Sequence, residues 1–131
     1  MAAICAEGGN FTLEGEASGL FGAWNRGAKL VVERECGARL GLKMEDGLIV
    51  VHGSAGAEAG AGMKGGLIVV RGSSGKRCGV GMKGGTVVIM GDVASDVGTN
   101  MQGGRIIVNG RCPPPGEGAK SIPLNSEIFA E

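Results

Sequence analysis

Apolar residues occur in short runs framed by glycine. Leu48-Ile-Val-Val51 and Leu67-Ile-Val-Val70 directly follow glycine, Val87-Val-Ile89 and Ile106-Ile-Val108 follow a glycine pair after one residue, and each run is followed, two residues on, by another glycine. Runs of four or five β-branched and aliphatic residues bounded by glycine predict short strands. A helical reading fails, because glycine costs about 1 kcal/mol at each interior helix position. The runs recur at a fixed distance. GLKMEDGLIVVHGSAGAEA (41–59), GAGMKGGLIVVRGSSGKRC (60–78) and GVGMKGGTVVIMGDVASDV (79–97) align without a gap, and a fourth copy starts GTNMQGGRIIVNGRC at Gly98. The period is 19 residues. A decayed copy occupies 22–40, with Asn25 where the others carry Met, and a weaker one occupies 3–21.

A 19-residue unit with one strand is too short for a βαβ module or a propeller blade. It is long enough for one coil of a solenoid, in which like residues stack at the inter-strand spacing of about 4.8 Å. The expected fold is therefore an all-β, single-stranded parallel β-helix. It has about six coils, starting near 3, 22, 41, 60, 79 and 98. The repeat domain spans 1–112, followed by a capping tail at 113–131. Four columns define the coil. Met44, Met63, Met82 and Met101 form an interior ladder, filling space that aromatic rings fill elsewhere. Gly47, Gly66, Gly85 and Gly104 form one structural glycine column, and Gly53, Gly72, Gly91 and Gly110 another. Positive φ is the expected reason for both, and a β-branched residue at Gly72 is expected to damage folding on that account.

Strand alternation sorts the remaining apolar residues onto two faces. Ile49, Val51, Ile68, Val70, Val87, Ile89, Ile106 and Val108 share the interior parity. Val31, Leu48, Val50, Leu67, Val69, Val88 and Ile107 share the other, and make an outward apolar stripe. A single-walled solenoid buries only one face of its sheet, so the stripe needs a cover. A partner surface is expected there. The alternative is the tail, which supplies Ile122, Leu124, Ile128 and Phe129.

Composition narrows the class. Of 131 residues, 28 are Gly and only four are aromatic, while 43% are hydrophobic. That excludes an aromatic-centred core and, with no Gly-X-Y period, collagen. The 13 basic residues balance 13 acidic ones, so no charge excess draws the chain to nucleic acid or an anionic membrane. No apolar run is long enough to span a bilayer. The segment Met1–Glu7 has neither a basic start nor a long apolar stretch, so a secretory signal is not expected. Cys5, Cys36, Cys78 and Cys112 lack metal-ligand spacing. Cys36 and Cys112 share a column but stand four coils apart, too far for a disulfide. A reducing cytoplasm is the expected setting.

Several motifs invite a chemical reading. Gly60-Ala-Gly62-Met-Lys-Gly65 and Gly79-Val-Gly81-Met-Lys-Gly84 match GxGxxG, but a strand follows where dinucleotide binding needs a helix. Gly72-Ser-Ser-Gly75-Lys76 is too short for a phosphate loop. The lysines and arginines of the corners (Lys64, Lys76, Arg77, Lys83) read as a solvated rim diluted by Glu45, Asp46, Glu58 and Asp96. His52, the single histidine, could serve as a general base in a hydrolase or acyltransferase, but no triad partner is placed by the sequence.

The repeat GMKGGxIVVxGxxG resembles the GXGXG β-helix family, which includes the C-terminal domain of the glutamate synthase large subunit and a β-helical subunit of formylmethanofuran dehydrogenase. The likeness covers roughly 8–112 and is strongest over 41–110. It implies a right-handed parallel β-helix. It also implies a non-catalytic scaffold within a multi-subunit oxidoreductase complex, with no catalytic, cofactor-binding or metal-binding residues of its own. The partners implied are other subunits of that complex, or further copies of the chain.

Overall fold

The structure, a computed structural model, describes residues 9–15, 19, 21–110, 119–122 and 127–130. Its core is a stack of six parallel strands. They are β1 (Asn10–Leu13), β2 (Arg26–Val32), β3 (Asp46–Val51), β4 (Leu67–Val70), β5 (Thr86–Ile89) and β6 (Arg105–Val108). Each pairs with the next, in the order β1-β2-β3-β4-β5-β6. The pairing is Leu48↔Leu67, Leu67↔Thr86 and Thr86↔Arg105, one 19-residue step per coil. The chain is thus a parallel β-solenoid, with no helix among the described residues. Six strands enclose about five turns rather than six, since the copy at 3–21 contributes the strand β1 as the first rung.

Two further strands, β7 (Ala119–Ile122) and β8 (Glu127–Ala130), pair antiparallel with each other. β8 also pairs antiparallel with β6, Ile106 facing Ile128. The last coil would otherwise present a row of unpaired backbone groups, and β8 occupies it. The tail backbone therefore extends the sheet at its edge. Cys5, Cys112 and Leu124 lie outside the described residues.

Three sides close each coil. The strands form the first. The second is marked by single bridges linking Cys36 to Ala55, Ala55 to Ser74 and Ser74 to Val93. The third is a turn whose hydrogen bonds run the opposite way along the stack. In the strands, N–H groups reach back to the preceding coil, as from Arg71 to the Val51 carbonyl at 2.9 Å. In the turn, N–H groups reach forward. Arg39 donates to Ala57, Glu58 to Lys76 and Arg77 to Ser95, at 2.8 to 3.0 Å. In this turn the reversal comes with left-handed backbone. Arg39, Glu58, Arg77 and Asp96 all take it, with φ of 61°, 62°, 60° and 62°. The small strain of a side chain at positive φ is offset by a hydrogen bond to the next coil.

The glycine columns separate into two kinds. Gly47, Gly66, Gly85 and Gly104 have φ of 104°, 89°, 83° and 78°, where glycine is the unstrained choice. Gly53, Gly72, Gly91 and Gly110 do not have positive φ. The expectation for Gly72 is corrected in its reason: a Cβ there would stand 2.8 Å from the Gly53 carbonyl oxygen and 2.5 Å from Ser54 Oγ. These glycines are required by the close stacking of one coil's backbone on the next, not by backbone angle.

The interior is a set of straight columns. Met44, Met63 and Met82 have no exposed surface and Met101 has 4%. Facing them are Leu30, Ile49, Ile68, Val87 and Ile106, all fully buried. Asn25 caps the Met column and is also fully buried. Its amide nitrogen donates to the Ala28 carbonyl at 3.0 Å, and its Oδ1 accepts from the Ala28 and Gly27 N–H groups. Those bonds satisfy the amide and hold the bulge that shifts the β2 register between Arg26 and Lys29. No helix of the described residues is long and apolar enough to cross a membrane.

Candidate functional site

The side chains that alternate outward from β2 to β6 form an extended apolar face that the repeat builds coil after coil. Val31, Val50, Val69, Val88 and Ile107 stand in one unbroken column. Leu48 and Leu67 stand beside them, with Thr86 next in that row. All of these are half-buried, while their strand neighbours Ile49, Val51, Ile68 and Val70 are fully buried. Neighbours in the column shield one another, and the outer surface of the column faces away from the core. The seven stripe residues read from the sequence therefore lie on one face.

The structure adds a flank. Glu33, His52, Arg71, Met90 and Asn109 occupy the row that follows the stripe, and all are exposed. Met90 is 45% exposed, among the most exposed large apolar side chains described. It enlarges the face on that side, and the Asn109 amide donates to its sulfur at 3.7 Å. Sequence reading missed Met90 because its row is otherwise polar. The signal was there: a lone apolar residue in a polar column next to an apolar stripe. The other edge of the face is closed by Lys29 and Arg105, both exposed.

His52 lies in this flank. Its Nδ1 stands 3.5 Å from Arg71 Nη1. Arginine can only donate, so the pair forms a hydrogen bond only in the tautomer whose Nδ1 is the acceptor. In a catalytic triad the base histidine carries a carboxylate on its other nitrogen, which orients it. An arginine stands here instead, on an open surface.

Elsewhere the surface carries ordered polar ladders. Arg39, Glu58, Arg77 and Asp96 alternate in sign up the left-handed turn, with Arg39 Nε 3.5 Å from Glu58 Oε1. Arg26 Nε meets Glu45 Oε2 at 3.3 Å one coil apart. Ser54 and Ser73 accept from the N–H groups of Ser73 and Asp92, at 3.0 and 3.1 Å. Each ladder links neighbouring coils, and exposed pairs of this kind contribute at most about 1 kcal/mol apiece. Among the described residues there is no group of three His, Cys, Asp or Glu side chains able to hold a metal ion.

Cys36 and Cys78 are buried free thiols. Burial pushes the Cys36 thiol up from its ordinary 9.0 to about 11. The folded chain keeps that proton where the unfolded chain loses it. Stability from this group is therefore complete below pH 9 and declines as pH rises toward 11. The decline is on the order of 2 kcal/mol. Urea unfolding of wild type and Cys36→Ala across that window tests it: the extra loss of stability should vanish in the variant.

Set beside known proteins, the chain matches no family model and no curated sequence.

Proposed function

We propose that this chain is a non-catalytic structural subunit whose work is geometric: a stiff β-solenoid presenting the Val31–Ile107 face to a partner. The observation that carries the reading is the straight outward column of five β-branched residues, repeated without interruption by five successive coils. A solvated sheet face would alternate to polar residues at these positions. Exposing five β-branched side chains in one line is justified by contact with another surface. In keeping with the sequence resemblance, the assembly proposed is a multi-subunit oxidoreductase complex in the cytoplasm, with the redox cofactors held by other subunits.

The test is made in the chain's own host. Tagged wild type should purify with stoichiometric partner polypeptides, or with a second copy of itself, and Val69→Asp should release them while remaining folded. Hydrolysis of simple esters by the purified chain, abolished by His52→Ala, would overturn the reading in favour of an enzyme.

A further inference from the structure

The docking face has a charge pattern that selects its occupant. From β2 to β6 its levels read Lys29-Val31-Glu33, Leu48-Val50-His52, Leu67-Val69-Arg71, Thr86-Val88-Met90 and Arg105-Ile107-Asn109. The centre is apolar at every level, and charge is confined to the edges. The register is unshifted from Leu48 to Val108, so the central seam is straight with a rise of about 4.8 Å per level. A surface that repeats at the same interval can mesh with such a seam along its whole length. Another stack of parallel strands does so, and this chain is one.

Two copies can meet face to face about a twofold axis in two ways. If the axis lies along the strands, the levels reverse. Lys29 then faces Arg105 of the second copy, and Arg71 faces its own equivalent, so every long-range charge contact is repulsive. If the axis lies along the solenoid, each level meets itself and the edge rows exchange. Lys29 then faces Glu33 twice, Leu67 faces the stem of Arg71, Thr86 faces Met90 and Arg105 faces Asn109. Neither Lys29 nor Glu33 has an ion pair among the described residues. The central column packs valine on valine at four levels and isoleucine on isoleucine at the fifth.

We infer that this face takes a second copy of the chain, packed level on level about a twofold axis parallel to the solenoid. The inference rests on the docking reading above and names the occupant. Five levels by five strand positions project to roughly 300 Å² per copy at the standard strand and residue spacings, well under the ~800 Å² per partner of a standard stable interface. The dimer is therefore one that dissociates on dilution.

The geometry is tested by cross-linking through single cysteines with a short bis-maleimide. Cys5 and Cys112 are first replaced by serine, and the buried Cys36 and Cys78 are left in place. Val31→Cys alone and Ile107→Cys alone should each give cross-linked dimers, because each level meets itself. Dimers formed only when the two variants are mixed would overturn the proposed axis. Sedimentation equilibrium provides the second arm. Lys29→Glu should weaken association several-fold, and Lys29→Glu with Glu33→Lys should restore it. A wild-type chain that stays monomeric at every concentration overturns the inference. If Val69→Asp still releases partner polypeptides in the host, the docking reading survives that result with a different occupant. If Val69→Asp changes neither measurement, both fail.

Discussion

Gly85→Val is expected to abolish folding outright. Gly85 sits at φ 83° in the middle of the stack, a region β-branched residues do not occupy without severe strain. Space is denied as well as angle. A Cβ there would lie 2.9 Å from the Gly65 carbonyl carbon, 3.0 Å from its Cα and 3.0 Å from the Gly66 oxygen. All three are backbone atoms of the preceding coil, and no side-chain rotation relieves them. The two coils would have to part at the point where the Thr86 N–H reaches the Gly66 carbonyl. The expected loss exceeds about 4 kcal/mol, the range reached when strain and overpacking combine. The control is Gly81→Ala. Gly81 has a similar φ of 65°, but its added Cβ meets nothing within 4 Å. It should cost only about 1 kcal/mol. Soluble yield and urea midpoints of the two variants separate angle from space: equal losses would mean that the tight stacking at Gly85 is not what matters.

Ile68→Asp should be nearly as damaging, and its neighbour shows why. Ile68 is fully buried between Ile49 and Val87 in the interior column, while Val69, one residue along, stands on the outer face. An aspartate at 68 puts a carboxylate into a column of aliphatic and thioether groups with no donor to receive it. It also removes a branched side chain that fills the coil. The cost is expected to be about 4 kcal/mol or more. In a repeat array the break propagates, since each coil is held only by its neighbours. Val69→Asp adds the same charge in water and should change the urea midpoint little, altering association instead. Circular dichroism and urea unfolding of the pair decide it. A folded Ile68→Asp, or an unfolded Val69→Asp, would reverse the assignment of faces.

The second prediction rests on a parity that was legible in the sequence, and the reason is translational symmetry. A 19-residue repeat puts every coil in the same environment, so a column of identical residues reports the environment directly. Met44, Met63, Met82 and Met101 had to be interior together, and Val50, Val69, Val88 and Ile107 had to share the opposite face. The left-handed turn was harder to see. Arg39, Glu58, Arg77 and Asp96 share a backbone conformation but no chemistry, and none is glycine. At Arg39, Glu58 and Arg77 that conformation accompanies forward hydrogen bonds that exist only once the next coil is in place. The Gly72 column misled in the other way: its glycine was evident, but its cause was a stacked backbone rather than a turn. The outward apolar face was half visible. Its apolar centre followed from alternation, whereas Met90 and the edge charges of Lys29 and Glu33 acquired meaning only when the flanking rows were laid side by side.

The sequence by itself determined the period, the strand in each coil, the inward and outward sides of that strand, and the glycines that no other residue replaces. Those are local and repetitive properties, written once per coil and read again in each copy. Only the tertiary structure decided how the coils close and where the stack ends. It set the forward-bonded turn, the Asn25 bulge at the first full coil, and the antiparallel β8 beside β6. Each of these depends on a contact between residues far apart in sequence or on a break in the repeat. A pattern that tells what all coils share carries no information about the places where they differ.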